Sequence, residues 1–190
     1  MKWYNKLGLM LAFFGLAIPE AKALDRVQLE QFRQTGSCVN CDLSGAMLVD
    51  ARLSNTDLRG VNLAAADLTR ADLRNANLGG ANLAGASLID ANLGGANLTG
   101  ANLQVAGLMR ANLANTILTG ASLIRAKLFA ANLSNADLRR SLLWDADLVN
   151  ANLAGANLRG ADLRGAEVEN SVWQGVQLRG AILPDGTFQP

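Results

Sequence analysis

The stretch Ala91–Leu103 reads Ala-Asn-Leu-Gly-Gly, Ala-Asn-Leu-Thr-Gly, Ala-Asn-Leu, and this five-residue pattern decides the fold of the chain. The pattern runs from Cys41 to Leu183 in 29 consecutive repeats without a break in register. Leucine holds the third place in 27 of them, and alanine holds the first place in 22. So regular a repeat indicates a solenoid in which one structural unit is stacked many times.

A spacing of five fits neither a continuous helix nor a straight strand. A helix turns by about 100° per residue, so leucines five residues apart would be spread around its axis. In a straight strand, side chains alternate between the two faces, so every second leucine would point into water. The pattern therefore predicts a bend in every repeat. With that bend, the leucine and the alanine two residues before it all face inward, and the other three places face outward.

The repeat resembles that of the pentapeptide-repeat family, in which a small residue, Asn or Asp, and Leu precede two variable residues. The resemblance implies an all-β solenoid, a right-handed quadrilateral β-helix with four repeats per coil. At a coil spacing of about 4.8 Å, the repeats would form about seven coils and a rod of roughly 35 Å. Glycines that recur from Gly60 to Gly180 would then form one corner column, where they supply the positive φ of a type II turn.

Both ends of such a rod need a cap, because an open coil exposes apolar side chains and unpaired backbone groups. Ahead of the solenoid at 37–183, residues 24–36 are predicted to form a short capping α-helix. Behind it, residues 184–190 form a C-terminal cap or tail that begins with the turn signal Pro-Asp-Gly. Phe188 still lies on the leucine register, so we expect its side chain to fold over the last coil.

Residues 1–23 have the pattern of a secretory signal peptide. Lys2 and Lys6 precede an apolar run at 7–18, and Ala-Lys-Ala at 21–23 is a small-residue cleavage site. Cleavage is predicted between Ala23 and Leu24. A transmembrane anchor is the alternative, but a run of 12 residues is shorter than the roughly 20 needed to span a bilayer. No stable membrane insertion is expected after cleavage.

The mature chain would be nearly neutral. Cleavage removes three lysines and one glutamate from 17 basic and 16 acidic residues, which leaves 14 basic against 15 acidic residues. The best known activity that the family resemblance implies is protection of DNA gyrase by members that imitate duplex DNA. A rod of this length would need an excess of about 20 negative charges to do so. The charge argues against such mimicry, and no nucleic-acid partner is expected.

Cys38 and Cys41 are the only cysteines of the chain. The repeat register places both of them inward across one corner, next to the predicted cap helix. A structural disulfide fits this position in an exported protein. A redox-active pair is one alternative, although redox thiols are usually exposed. Half of a zinc site is another, but the chain has no histidine and no further cysteine to complete four ligands.

The sequence shows no recognisable catalytic constellation. Without histidine, the usual general base is missing. Aspartates occupy the second place of the repeat interchangeably with asparagines, which indicates outward hydrogen-bonding ladders from coil to coil. We therefore predict that the protein is not an enzyme and that it uses no cofactor and no metal.

Large apolar residues in outward places form a candidate interaction patch. We expect their side chains to be substantially exposed and to contact a protein partner. The alternative is that they only pack on one another along the rod. The patch consists of Met109, Ile124, Phe129, Trp144 and Val149.

Arginines gather on another side of the rod towards its C-terminal end. They form a candidate anion-binding patch, with an ordinary solvated face as the alternative. The patch consists of Arg139, Arg140, Arg159 and Arg179.

The sequence predicts a non-enzymatic structural scaffold or protein-interaction module of an exported compartment. We expect the protein to be a monomer and to bind a protein partner whose identity is unknown. A DNA-mimicking gyrase-binding protein and a thiol-redox protein acting through Cys38 and Cys41 are the alternatives. The signal peptide, short helix, Cys-x-x-Cys and Pro-Asp-Gly ending are similar to those of cyanobacterial family members. This similarity implies the thylakoid lumen or the periplasm.

Overall fold

The computed structural model describes residues 37–190, in which one backbone unit recurs every five residues. These residues contain no helix and no continuous strand, and each repeat makes a single bridge at its second residue before it turns at its fourth and fifth. The turn is closed by a hydrogen bond from the first N–H of the next repeat to the leucine carbonyl. Ala96 N, for example, donates to Leu93 O at 2.8 Å.

The fifth residue of each repeat has a positive φ throughout Asn40–Gly180. A positive φ at only the second central residue is typical of a type II turn. Glycine adopts this conformation without a steric penalty, and the glycine column from Gly60 to Gly180 confirms the predicted corner. Arg140 takes the one place in that column without glycine and has a φ of 56°. Asparagine, which tolerates positive φ better than most residues, is common at the other corners.

The chain rises by one coil every 20 residues. Parallel bridges join each second-place residue to its counterpart one coil later, from Ser37–Asp57 to Asp162–Ile182. Four repeats therefore complete a coil and give the solenoid four faces. We name the faces by their bridge residues: face A runs from Asp42 to Ile182, face B from Met47 to Glu167, face C from Arg52 to Val172, and face D from Ser37 to Gln177.

Leucine and alanine fill the core as predicted. Every third-place leucine from Leu58 to Leu163 has an exposed fraction of 0%. Burial of each contributes about 2 kcal/mol before ordering entropy is subtracted. Where a hydroxyl residue replaces the first-place alanine, the preceding turn satisfies it, because Thr116 Oγ1 and Ser141 Oγ each donate to a leucine carbonyl at 2.7 Å.

The C-terminal tail reverses direction after the last coil. Gly186 has a φ of 85°, and Phe188 forms an antiparallel bridge with Ile182. Directly opposite residues in a sheet point to the same side, so Phe188 points outward beside Ile182, and the Phe188 side chain is 61% exposed. The prediction that Phe188 folds over the last coil is therefore wrong.

The predicted signal peptide at 1–23, its cleavage point between Ala23 and Leu24, and the cap helix at 24–36 lie outside the described residues. The coil number and the domain limits stay predictions. In the part of the chain that is described, no helix has both the length and the apolar character to cross a membrane.

The inward assignment predicts opposite outcomes for two neighbouring substitutions. Leu113→Asp places a carboxylate in the core, where a buried unpaired charge costs several kcal/mol, and it should unfold the middle of the rod. Ala114→Asp places the same group outward and should change the free energy of unfolding by less than about 0.5 kcal/mol. Thermal melts of the two variants are the measurement, and equal melting temperatures would contradict the assignment.

Candidate functional site

Hydrogen-bonded ladders occupy much of the outward surface. On face C, Asn112 and Asn132 each donate from Nδ2 to the Oδ1 atom of the asparagine one coil earlier, at 3.0 and 3.3 Å. The same Oδ1 atoms accept the backbone N–H two residues later in the chain, such as Ala114 N on Asn112 at 3.2 Å. These contacts confirm the predicted ladders for the asparagines, whereas the second-place aspartates Asp72 and Asp137 instead pair with an arginine two residues later. Such columns leave few unsatisfied groups for a ligand.

An Asp-Leu-Arg sequence marks a second kind of self-contained surface pair. The second and fourth places both face outward, so the arginine reaches back to the aspartate two residues earlier and binds it through two nitrogens. In the first such pair, Arg59 Nε and an amino nitrogen lie 2.8 and 2.7 Å from the Asp57 carboxylate. The Arg59 hydrogen bonds hold the pKa of Asp57 below its usual value. The motif recurs at Asp72–Arg74, Asp137–Arg139 and Asp162–Arg164.

The structure brings the predicted arginine patch together along one corner. Arg139, Arg159 and Arg179 take the fourth place of face D in successive coils, and Arg140 follows in the fifth place, where face D turns into face A. Arg139 is bound to Asp137 at 2.7 Å. The other three are exposed and form no ion pair with another side chain of residues 37–190. The stem of Arg140 lies over Gly160, with its Cγ atom 3.5 Å from the place that a Cβ would take.

The predicted apolar patch is divided between two corners. Ile124 and Trp144 stand where face A ends, whereas Met109, Phe129 and Val149 stand where face B ends. Only Phe129 and Trp144 are clearly exposed, at 39% and 37%.

Met109, Ile124 and Val149 are half-buried, so the prediction of substantial exposure is wrong for these three. Fourth-place side chains lie back across the face onto the next coil. Ile89 Cγ1, for instance, lies 3.8 Å from the Cβ position of Gly107. Coils only about 4.8 Å apart leave such side chains little solvent.

Face A changes character halfway along the rod. Its bridge column begins as a ladder in which Asn62, Asn82 and Asn102 each donate to the side chain one coil earlier, at 2.9 to 3.2 Å. The ladder ends at Ser122, whose hydroxyl has no partner among the described residues. Beyond that point large apolar side chains stand among charged ones in the outward places. We call this group the aromatic surface, and it consists of Leu142, Trp144, Ile182 and Phe188 around the Asp162–Arg164 pair.

The Asp162–Arg164 pair is the most buried ion pair of residues 37–190. The Asp162 side chain is 12% exposed, compared with 34% for Asp57 in the same motif. Arg164 binds it through Nε and an amino nitrogen at 3.0 and 2.7 Å. The Arg164 guanidinium also lies 4.9 Å from the centroid of the Trp144 ring, within range of a cation–π interaction. An open depression of about 310 Å³ adjoins the pair and is lined by Trp144, Asp145, Arg164 and Gly165.

Two opposing effects set the protonation of Asp162. Burial raises the pKa of its carboxyl group and is the largest single effect. The hydrogen bonds and the charge of Arg164 and the indole N–H of Trp144 together outweigh burial and leave the pKa below its usual value. The indole N–H acts here without the geometry of a full hydrogen bond. The carboxylate is therefore ionised at neutral pH, and it holds Arg164 against Trp144 in one orientation.

Cys38 and Cys41 form a disulfide, with their Cα atoms 5.4 Å apart. The bond links the third place of a face D repeat to the first place of the next repeat on face A. Both side chains are inward, with exposed fractions of 1% and 6%. The predicted pairing is confirmed. The low exposure argues against thiol exchange at this site, because exchange requires access to the sulfur.

Other site chemistry finds little support in residues 37–190. No group of three or more Cys, Asp or Glu side chains in this range is placed to hold a metal ion. What the sequence interpretation missed is the aromatic surface at the end of face A. Leu142, Asp162 and Ile182 recur at intervals of 20 residues, so this column could have been read from the sequence, but Phe188 joins it only through the reversal of the tail.

The pentapeptide-repeat family model matches residues 37–75, 66–104, 106–145 and 146–183. The chain therefore belongs to the pentapeptide-repeat family. Its coils, with four repeats and a turn at each corner, are those of the right-handed quadrilateral β-helix of this family. Proteins built in this way are generally structural or interaction proteins.

Three solved structures illustrate the relationship. The chain is 35% identical to HetL, a pentapeptide repeat protein involved in heterocyst differentiation regulation from the cyanobacterium Nostoc sp. strain PCC 7120, over 80% of each chain with a TM-score of 0.39. It is 22% identical to QnrB1, a plasmid-mediated fluoroquinolone resistance protein, over 78% of this chain and 80% of that one, with a TM-score of 0.55. It is 28% identical to AT2G44920, a pentapeptide repeat protein from the Arabidopsis thaliana thylakoid lumen, over 70% of this chain and 68% of that one, with a TM-score of 0.27.

The identity to HetL supports membership of the family, and the likeness to QnrB1 supports the fold alone. No curated protein matches the chain.

The Asp162–Arg164 pair predicts a pH-dependent contribution to stability. Asp162→Asn removes the charge from a nearly buried, hydrogen-bonded pair, and it should lower the free energy of unfolding at neutral pH by about 1 to 3 kcal/mol. Because the folded pKa of Asp162 is lowered, this contribution is present above the unfolded pKa of about 3.9 and is lost as the pH falls through the folded pKa.

Denaturant unfolding at pH 7 and near pH 3 tests this prediction, with Asp57→Asn as the matched control. Asp57 has the same motif and a more exposed pair, so its loss should cost no more than about 1 kcal/mol. An equal loss of stability in the two variants at pH 7 would contradict the special role of Asp162.

Proposed function

We propose that the protein is a non-enzymatic protein-interaction scaffold of an exported compartment, either the thylakoid lumen or the periplasm. The observation that carries the proposal is the exposure of the aromatic residues Phe129 and Trp144, on a rod where asparagine ladders satisfy most of face C and the first half of face A. Aromatic side chains on a rigid surface are typical contact residues in protein interfaces. The stacked leucine core holds them in place, so binding would cost little ordering entropy.

Export is supported by the sequence of residues 1–23 and by the cysteine pair. The basic start, the short apolar run and the small-residue site are the parts of a secretory signal. A disulfide between Cys38 and Cys41 fits an oxidising compartment. The proposed partner is a protein, and the proposed scaffold is a monomer.

The two alternatives are less well supported. A gyrase-binding role by DNA mimicry would require a strongly negative rod, whereas the chain has a formal net charge of +1 before cleavage. The likeness to QnrB1 transfers no activity at 22% identity. A thiol-redox role would require an accessible sulfur, whereas Cys38 and Cys41 are buried.

The export proposal predicts a mature chain that begins at Leu24. Signal peptidase should cut after Ala23, because small residues stand at 21 and 23. The measurement is the intact mass of the protein recovered from its own cell. A membrane-held chain that still begins at Met1 would show that residues 1–23 are an anchor.

The interaction proposal predicts that Phe129→Ala with Trp144→Ala weakens partner capture without unfolding the rod. Aromatic anchors typically contribute about 2 kcal/mol or more to binding, and neither ring belongs to the leucine core. Captured protein from the native compartment should therefore fall at least tenfold at equal folded fraction.

The matched control is Met47→Ala with Val172→Ala, two apolar residues that are also exposed, at 59% and 46%, but lie elsewhere on the rod. This control should leave capture unchanged. Unchanged capture by the Phe129 and Trp144 variant, together with a lowered melting temperature, would mean that these rings only pack on the rod.

A further inference from the structure

We propose that the aromatic surface and the arginine corner beside it form one docking surface for a protein segment that carries carboxylates next to an apolar side chain. The arginine corner is defined here as Arg140, Arg159 and Arg179. The inference rests on the proposed function, because it assumes that the rod binds proteins, and it adds the face that binds and the chemistry of the partner.

The fold brings the two groups side by side. Face D turns into face A at its fourth and fifth places, so Arg159 precedes Asp162 by three residues and Arg179 precedes Ile182 by three. Three residues of chain span at most about 10 Å. Parallel bridges from Leu142 to Asp162 and from Asp162 to Ile182 then stack these rows in adjacent coils. The arginine corner therefore borders the aromatic surface along its length.

The charges of the surface are unbalanced towards positive. The Asp162 carboxylate is already satisfied by Arg164, and the Asp137 carboxylate by Arg139. Arg140, Arg159 and Arg179 have no ion-pair partner among the described residues, so their guanidinium groups can each bind a carboxylate through two nitrogens. Two other acids of face A, Asp145 and Asp185, lie at its far corner. This arrangement orients the carboxylates of a bound segment towards face D.

The apolar part of the surface selects a protein segment over a purely ionic ligand. Phe188 is 61% exposed and Trp144 is 37% exposed. Leu142 lies between Trp144 and the arginine corner, and Phe188 stands directly opposite Ile182. Burial of these side chains contributes about 25 cal/mol per Å² of apolar area removed from water. A simple anion has no apolar surface with which to bury them. The contact of Arg164 with the Trp144 ring fixes the ring before binding, as in preorganised interfaces.

Two exposed residues in the first described coils provide matched controls for the proposed surface. Met47 is 59% exposed, nearly the same as Phe188, but it lies at the opposite end of the rod on face B. Arg52 is exposed on face C and forms no ion pair within residues 37–190. Equivalent substitutions at Met47 and Arg52 therefore remove an exposed apolar side chain and an arginine without an ion pair from a different place.

The test is a fluorescence anisotropy titration of three labelled synthetic peptides with the protein recovered from its own compartment. The peptides alternate Leu with Glu, Leu with Lys, and Ser with Glu. We expect the Leu-Glu peptide to bind at least tenfold more tightly than the other two at low ionic strength, with the preference reduced by added salt. Equal binding of the Leu-Glu and Leu-Lys peptides would overturn the proposal.

Variants locate the binding on the surface. Arg159→Glu and Phe188→Ala should each lower the affinity for the Leu-Glu peptide at least fivefold. The affinities of Arg52→Glu and Met47→Ala should stay within twofold of that of the unchanged protein. Melting temperatures confirm that each variant is folded, and Arg159 has no core contact whose loss would unfold it. Equal losses in the test and control variants would overturn the location.

Anionic lipid vesicles made with phosphatidylglycerol are titrated in parallel. Vesicle binding that is stronger than peptide binding and depends on Arg159 would overturn the protein-segment assignment in favour of a membrane surface. If the peptides show no preference while Phe129 and Trp144 still capture a native partner, this inference fails and the proposed function stands. If the peptides bind as expected but no native partner is captured, the surface stands and the proposed function fails.

Discussion

The bend at the fifth residue of every repeat is the constraint on which the rest of the structure depends. The bend keeps leucine and alanine pointing inward although their spacing of five would defeat any straight element. A positive φ at that residue is required even where the side chain is not glycine. Val105 is a β-branched residue with a φ of 59° and is 53% exposed. The strain of such a residue costs on the order of 1–3 kcal/mol, and the continuous leucine core below it outweighs this cost.

Because the core takes two places of each repeat, the other three are available for surface chemistry. In the second place, asparagine produces a satisfied ladder. An aspartate followed two residues later by arginine produces a closed ion pair. On face A, Leu142 and Ile182 replace the asparagine or aspartate of the second place. Between them, the buried Asp162 binds Arg164, which lies over the Trp144 ring. On the other faces the exposed apolar residues of the second place stand singly, such as Met47, Ile117 and Val172. The aromatic surface instead gathers several apolar side chains around a buried ion pair, which makes it the strongest candidate for contact with another molecule.

The sequence was sufficient to predict most of the fold, because a strict period leaves few ways to bury 27 leucines. The inward places could be predicted for that reason. The four-sided coil, and with it the glycine corner, was implied by the resemblance to the family. The Cys38–Cys41 bond was predicted from the inward register of both cysteines and from the expected export. The direction of the tail could not, since Pro184-Asp185-Gly186 indicates a turn without saying which strand the chain meets afterwards. The exposure of Met109, Ile124 and Val149 could not be predicted either, because it depends on how side chains pack between coils. The contact between Trp144 and Arg164 was missed because the register predicted an exposed ring without showing which side chain would lie over its face.

The 20-residue spacing of the bridges also has a consequence for how the rod forms. Each new coil closes a loop of the same length as the one before it, so the entropy lost on closure does not grow as the rod lengthens. A contact map of this kind has a mean sequence separation that stays constant with chain length, unlike that of a sandwich or barrel whose distant strands must meet. Folding can therefore start at any well-formed pair of coils and extend in both directions by the same small step. The least regular coils, those that contain Val168, Trp173 and the reversed tail, are then expected to be the last to order and the first to open.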